Sequence, residues 1–561
     1  MFLQAIYKMK KIKTNTNFSL KRGKLRVFVV LLLSLLALTA CSIKQQRIAA
    51  ENPENKISFT DSTQMSRLEK SVLKQIDEHS HKNGFYFIAT GVEAFSTLTG
   101  LISSAERSID LQSFLYHDDR TGRLLAYKLL QAADRGVRVR ILLDDFFSSS
   151  KISLLATLNA HRNIEVRFFN PISTSRWARP LAFIAKFRKV TRRMHNKAFI
   201  VDRHVAIIGG RNVGDVYYAM RDDYQFTDLD VLSVGPVVKS ISTSFNTFWT
   251  SRWAVAAVSY NQYDRTSNGS KVVKKKLTQL RVNAKKLQRS SFMKAVKRSG
   301  VVRKLRHANL SLLWSNSRLM YDPPEKVRGR RKHRKKYLMN QLMPYLAQAR
   351  SEVLIITPYF IPSRSGLRWI KRLRKKGVKV TILTNSFASN DIPFAYIGYE
   401  RYRRKVLEMG VELYEFKPTA ETKRRKTYKW LKSIPRSGLH AKLIIIDGEK
   451  MIIGSPNINP RSRNLDTEIA IMVNSTEIAE KMSALFSKLI KPVNSYRVVL
   501  RKRVNDWKEA DDPNVSDEDE QLVWKTNKQG KQVQYRQEPN TGLFEHLGIL
   551  FIGLLPIEGF L

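Results

Sequence analysis

The pattern His-x-Lys-x-x-x-x-Asp occurs twice in this chain, as His195-Asn196-Lys197…Asp202 and as His440-Ala441-Lys442…Asp447. Each copy is followed by two small residues and an asparagine, Gly209-Gly210-Arg211-Asn212 and Gly454-Ser455-Pro456-Asn457. The two histidines are 245 positions apart, and the glycines Gly136 and Gly377 are 241 apart. A spacing kept that closely implies one duplicated module. The segments around each glycine agree. The first half reads as a strand over 108–116, a helix over 123–135, then β-branched strands over 137–143 and 164–169. The second half repeats that order over 352–357, 365–376, 378–384 and 411–416. Strand–helix–strand order predicts parallel sheets covered by helices. The fold class is therefore α/β, as two fused α/β/α sandwich modules related by a pseudo-two-fold axis.

The doubled residues suit displacement at a phosphodiester. In a strand, residues two apart share a face, so His195 and Lys197 point together, as do His440 and Lys442. Turns at Asp202-Arg203 and Asp447-Gly448 return the chain and bring Asn212 and Asn457 near the same end. Gly209, Gly210, Gly454 and Ser455 leave room for a phosphate close to the backbone. A neutral imidazole can attack phosphorus while a second, protonated one supplies the leaving oxygen with its proton; a pKa near ~6.5 makes both states accessible. Two lysines and two amides can stabilise charge on the non-bridging oxygens. The covalent phosphohistidine divides one hard displacement into two. Asp230 and Glu468, at corresponding downstream points, are the candidates to orient the imidazoles. No cofactor or metal is expected. Asp144-Asp145 and Asp222-Asp223 read as turn residues rather than as divalent-ion ligands.

Charge narrows the partner. The 99 Lys and Arg against 48 Asp and Glu leave +51, which predicts a polyanion, either nucleic acid or an anionic membrane. Residues 271–320 contain no acid, and Arg328 begins a dense basic run through Lys336. A basic insertion over 265–307, helical around 277–287, is expected to lie on an anionic surface. Ahead of the modules stands a basic leader, then an apolar run over 27–40 that is short for a membrane span. Residues 44–70 read as a polar tether. After the second module come an acidic loop over 509–520, a hairpin over 522–535, and an apolar tail over 547–561. That tail packs on the body or dips into a membrane interface.

These motifs resemble the phospholipase D superfamily, whose signature is HxKxxxxD with a following GSxN. Within it the chain resembles bacterial cardiolipin synthases of the type that also uses phosphatidylethanolamine. The resemblance rests on 136–145, 169–171, 193–216, 226–237 and 439–468, which frame nearly all of 85–490. It implies a metal-independent, bilobal enzyme with one site between the halves and one histidine as nucleophile, the other as acid. The site it implies contains His195, Lys197, Asn212, His440, Lys442, Ser455 and Asn457, with Asp202 and Asp447 serving structure more than chemistry. It implies phosphatidylglycerol and phosphatidylethanolamine as substrates at an anionic phospholipid membrane, and a monomeric catalytic unit. A nuclease of the same superfamily is the alternative. Leu38-Thr39-Ala40-Cys41 resembles the lipobox of a bacterial lipoprotein, which implies lipidation of Cys41 and a cell-envelope protein facing the periplasm; Ser42 leans toward the outer membrane. One departure is internal: Gly210 stands where the second copy has Ser455. The expected organisation is signal peptide 1–40, tether 41–84, first module 85–264, basic insertion 265–307, second module 308–495, and C-terminal hairpin and tail 496–561.

Overall fold

A computed structural model describes residues 65–541 apart from 80–81, 147–151, 173–189, 258–266, 330, 422–425, 427, 503–519 and 529. The leader with Cys41, most of the tether, nearly all of the acidic loop and the apolar tail lie outside the described residues.

Each half is built around three parallel strands. In the first half these are Ser108–Ser113, Arg138–Asp144 and Ile164–Phe169. Their residues are buried almost without interruption, as expected of parallel strands covered on both faces. The helix Arg120–Asp134 makes the first crossover. Gly136, at φ +94°, ends it: the Val137 amide donates to Ala132 at 3.1 Å, a left-handed closure that favours glycine. Gly377, at φ +79°, ends Ser363–Lys375 in the same way, with Val378 donating to Leu373 at 3.1 Å.

From Ser108–Ser113 the first sheet continues antiparallel through Ala198–Val201, Val205–Gly209, Asp230–Val234 and Asn83–Ile88. Ala254–Ala256 closes its outer edge. The second half has Glu352–Ile356, Lys379–Asn385 and Glu412–Phe416 as its parallel strands. It continues through Leu443–Ile446, Lys450–Gly454, Ile469–Asn474 and Leu313–Tyr321, and on its other side Ser495–Lys502 pairs with Glu412–Phe416. The halves thus correspond strand for strand. They join where Asn83–Ile88 pairs antiparallel with Leu313–Tyr321, making one 18-stranded sheet among the described residues.

One apolar core is shared by both halves. The helices Pro236–Trp249 and Thr476–Leu489 bury Phe245, Phe248, Met482 and Phe486 against strands of both sheets. Truncating Phe245 or Phe248, both fully buried, to Ala costs about 3–5 kcal/mol. A separate core in the second half packs Leu338, Leu342, Trp369, Ile370 and Tyr396. Among the described residues no helix is long and apolar enough to cross a membrane.

Three segments differ from expectation. The tether already contains a helix, Arg67–Asp77, opened by a reciprocal Ser66–Glu69 capping box. The basic insertion folds as three helices, Ser267–Gln288, Ser291–Ser299 and Val301–Arg306. Leu280, Ala284, Phe292, Val296, Val301 and Leu305 are buried. Two hydroxyls fasten the layer, Ser96 of the first half to the Val296 carbonyl at 2.6 Å and Ser71 of the tether helix to that of Leu305 at 2.7 Å. Lys271, Lys274, Lys275, Arg281, Lys285 and Lys286 remain exposed. The third difference is at the C-terminal side. Ser495–Lys502 is an integral strand of the second sheet, whereas the hairpin expected over 522–535 is present as Glu520–Lys528 with Lys531–Tyr535 and extends that strand.

Candidate active site

The His-x-Lys segments stop just short of the strands Ala198–Val201 and Leu443–Ile446. The expectation placed them inside those strands. They are instead extended stretches whose backbone pairs with the opposite half. The His195 amide donates to Thr467 at 2.9 Å, and the Thr467 amide donates back to Arg193 at 2.9 Å. The His440 amide donates to Thr227 at 2.8 Å, where Arg436–Leu439 runs parallel to Tyr224–Thr227. Each motif therefore crosses from the other half's edge into its own sheet.

Each half also supplies the acid for the other's histidine. His195 Nδ1 lies 2.9 Å from Glu468 Oε2, and His440 Nδ1 lies 2.6 Å from Asp228 Oδ2. Both carboxylates are buried. Glu468 is where the sequence reading placed an orienting acid, but Asp230 is not. Asp230 Oδ2 accepts from Arg211 Nη1 at 2.8 Å and reaches no histidine. The correspondence runs through Thr227-Asp228 and Thr467-Glu468, the two threonines whose carbonyls receive the histidine amides. That repeated Thr-acid pair was the available signal, and aligning the strands that follow it missed the register by two residues.

This geometry also accounts for Gly210 standing where Ser455 does. A Cβ on Gly210 would strike the Asp228 carboxylate, and one on Gly209 would strike Asp230. Gly209 and Gly210 thus make room for acids, while a Cβ on Gly454 would strike the Ile469 carbonyl and Ala470 of the neighbouring strand. In the second copy the Ser455 hydroxyl donates to Glu468 Oε2. Glu468 is held further by the Ser462 hydroxyl at 2.6 Å, and its amide donates to Asp322 at 2.9 Å. Asp322 pairs with the buried Lys326 ammonium at 2.9 Å.

The charges are tightly coupled. Lys197 Nζ donates to the His195 carbonyl at 2.8 Å, and Lys442 Nζ to that of His440 at 2.5 Å. Burial pushes Lys197 down to about 7 and Lys442 down to about 8, with Lys442 also disfavouring charge on Lys197. Burial likewise lowers His195, and it lowers His440 to about 3 with Lys442 adding to the effect. Burial alone would raise Asp228 and Glu468, but the adjacent histidines and lysines overcome it and hold both carboxyls below their usual range. The resulting state has a neutral imidazole donating Nδ1–H to a carboxylate, which leaves the Nε2 lone pair free. An anionic phosphate between the lysines would restore their protons and raise the histidines.

The remaining candidates separate into two groups. Asn212 sits at the site, donating from Nδ2 to the Tyr217 hydroxyl at 2.9 Å. Asn457 Oδ1 is buried without a hydrogen-bond partner among the described residues. Phe114 stacks edge-on against His195 at 5.2 Å, and Tyr217 and Phe226 pack on His440 at 5.3 and 4.7 Å. None of these three aromatics was singled out as a site residue by the sequence, although Phe226 opens the resembling stretch 226–237. Asp202 and Asp447 are elsewhere, at the far ends of their strands. Asp202 accepts from the amides of Glu106, Arg107 and Ser108 at 3.0, 2.8 and 2.9 Å. Asp447 does the same for Arg350, Ser351 and Glu352 at 3.0, 2.8 and 3.1 Å. They anchor the fold and do not face the histidines. Asp144 does close the turn after its strand, accepting the Phe146 amide at 2.8 Å, and it is also buried and receives the Met194 amide at 2.8 Å and Arg193 at 3.2 Å.

The family described as "Cardiolipin synthase, PLD-like domain" matches residues 98–249 and 342–490, one stretch in each half. The chain belongs to this phospholipase D-like cardiolipin synthase family. Cardiolipin synthase C of Escherichia coli K12 is 34% identical over 494 residues, covering 88% of this chain and 99% of the relative. A cardiolipin synthase of Oceanobacillus iheyensis is 24% identical over 410 residues, covering 73% and 69%. Among solved structures, a phosphatidylserine synthase of Haemophilus influenzae Rd KW20 shares the fold, with a TM-score of 0.50 at 15% identity over 76% of this chain and 92% of that one. The two stretches matching the cardiolipin synthase family contain both histidines, both lysines and both histidine-bound acids, whereas the basic helices lie between them.

Proposed function

We propose that this chain is a phospholipid phosphatidyltransferase that makes cardiolipin. The observation that carries the reading is the reciprocal pairing of two histidines with the opposite half's carboxylates, in a chain of the cardiolipin synthase family. In the first step, Nε2 of one histidine attacks the phosphorus of a phosphatidyl donor. A nitrogen–phosphorus bond forms, the bond to the head-group oxygen breaks, and the second histidine gives that oxygen its proton. In the second step the same histidine takes the proton from a hydroxyl of phosphatidylglycerol. That oxygen attacks phosphorus and the nitrogen–phosphorus bond breaks. Lys197, Lys442, Asn212 and Asn457 would hold the non-bridging oxygens throughout. With water as acceptor the same site would act as a phospholipase D.

The donor is phosphatidylglycerol or phosphatidylethanolamine, and the enzyme works at an anionic phospholipid membrane in the cell envelope. The exposed lysines of Ser267–Gln288 would add attraction for such a surface, each contributing about 1 kcal/mol near it. Lipidation at Cys41 would tether the chain on the periplasmic side, so Cys41→Ser should abolish labelling by a radioactive fatty acid. An unlabelled wild-type protein retaining residues 1–40 would refute that anchor.

Reconstitution tests the activity. Purified protein in EDTA, given vesicles of phosphatidylethanolamine and phosphatidylglycerol, should release cardiolipin. Cleavage of DNA under the same conditions, with neither cardiolipin nor phosphatidic acid formed, would overturn the lipid assignment in favour of the nuclease.

A further inference from the structure

Large apolar side chains exposed by two fifths or more are few among the described residues: Met65, Val282, Ile392, Phe394, Ile434 and Val493. Isolated cases need no explanation, but clustered ones mark contact surfaces. Ile392 at 41% and Phe394 at 46% flank Pro393, where a loop enters the helix Pro393–Glu408, and Ile434 at 48% lies on the loop that leads into Arg436–Leu439 and so to His440.

The first loop follows the strand Lys379–Asn385. The Asn385 side chain bonds Leu439, the residue before His440, on both sides, accepting from its amide at 2.7 Å and donating to its carbonyl at 2.9 Å. Further along, Asp391 accepts from the Tyr359 hydroxyl at 2.7 Å, and Pro393 opens the helix Pro393–Glu408. The second loop, 428–435, runs directly into Arg436–Leu439. The segment 222–224 clips the two loops together. Asp222 accepts from the Lys432 amide at 3.1 Å, and its carbonyl from the Ser433 hydroxyl at 2.6 Å. The Tyr224 hydroxyl donates to Ser389, at the base of the first loop, at 2.8 Å. Gly438 permits this approach, since a Cβ there would strike both the Tyr224 hydroxyl and the Ser389 carbonyl.

The rim is also anchored from behind. Trp430 donates to the Ala219 carbonyl at 2.7 Å and meets Phe292 of the basic helices edge-on at 5.4 Å. A rim held this firmly keeps its apolar tips in water for a reason other than slack. Its charge points to the occupant. Lys429, Lys432 and Arg436 are exposed beside Ile434, while Asp223 is already matched by Arg221 at 2.5 Å.

We propose that Ile392, Phe394 and Ile434 insert into an anionic bilayer while Lys429, Lys432 and Arg436 meet its phosphates, so that the His440 side of the site opens directly onto the membrane. The apolar tips supply salt-independent hold, and the basic residues supply attraction that salt screens. The seat lets a lipid raise its head group into the site while its acyl chains stay in the bilayer. It rests on the phosphatidyltransferase reading.

The full-length triple variant Ile392→Ser/Phe394→Ser/Ile434→Ser tests it against vesicles of phosphatidylethanolamine and phosphatidylglycerol. Sedimentation should show binding weakened about tenfold or more, at low and high salt alike. Lys429→Gln/Lys432→Gln/Arg436→Gln should weaken it at low salt only. Turnover of short-chain phosphatidylglycerol dissolved below its micellar threshold should match wild type in the apolar variant, which also verifies its folding. As a second readout, Phe394→Trp should add emission that brominated acyl chains quench. Wild-type binding by the triple variant, or no added quenching, would overturn the proposal. So would a wild-type dimer that the triple variant dissociates while still binding vesicles normally, because the face would then be a self-association surface. Failure of the underlying reading looks different: wild type would bind vesicles yet turn over no short-chain phosphatidylglycerol.

Discussion

Replacing Asp228 with Asn keeps the shape of the side chain and removes its charge. The carboxylate accepts a hydrogen bond from His440 Nδ1–H at 2.6 Å and is buried, so no solvent substitutes for it. An amide can turn its NH2 toward Nδ1, which would move the ring proton to Nε2, the nitrogen needed for proton transfer or attack. The imidazolium formed during transfer also loses its nearest counter-charge. Positioned acid–base catalysis contributes about 10²–10⁴-fold, and at about 1.36 kcal/mol per tenfold that is roughly 2.7–5.4 kcal/mol of barrier. Asp228→Asn should therefore lower kcat by that factor with little change in melting temperature. Asp230→Asn is the matched control, two residues away. It weakens the buried pair with Arg211, whose disruption costs about 3–5 kcal/mol. It should melt earlier, while its folded fraction still turns over. Transfer from a fluorescent phosphatidylglycerol, read beside circular-dichroism melts, measures both. A folded Asp228→Asn enzyme within about threefold of wild-type kcat would refute the cross-half acid.

His195→Ala and His440→Ala should each abolish transfer in a protein that still melts as wild type, since groups acting as a unit fail together; near-normal turnover by either, in the same fluorescent assay, would contradict a shared site. The lysines set an alkaline limit: Lys197 and Lys442 lose their protons as pH rises through about 7 and about 8, so kcat/KM should fall over that window. Bound phosphate favours their charged forms, so the corresponding limb in kcat should lie at higher pH, and a pH profile flat to pH 10 in both (about the unperturbed lysine range) would contradict the assignment. Asp202→Ala should act on stability, because it strands three backbone amides at roughly 1–3 kcal/mol each and leaves Ala at φ +50°. Asp202→Asn, whose side chain tolerates that backbone, should melt closer to wild type, and both should keep kcat in the folded fraction.

Much of the architecture was legible because its signals are local. A glycine closing a helix and a β-branched run entering a parallel strand each announce themselves within a dozen residues. Their repetition around Gly136 and Gly377 carried the two-half plan. The histidines and lysines were legible for the same reason. Their acids were less so, because each reaches its histidine from the other half. Asp228 and Asp230 lie two apart and suit a strand equally well. The choice between them is made by the Thr227 carbonyl receiving the His440 amide, a pairing across 213 positions. The docking of the basic insertion was less legible for another reason. Its lysines dominate its composition, while the stripe through Leu280, Ala284, Phe292 and Val296 that docks it on the first half is spread over two helices.

The central claim is that phosphorus passes through a histidine of a site assembled from both halves. Acid-free quenching of the enzyme during turnover of phosphatidylglycerol labelled with radioactive phosphorus, followed by peptide mapping, tests it most directly. The account predicts an acid-labile, alkali-stable label on one peptide, carrying either His195 or His440, and its loss in Glu468→Gln or Asp228→Asn according to which histidine is labelled. Cardiolipin formed at the normal rate with no trapped label, or with label on a residue other than these two, would contradict it.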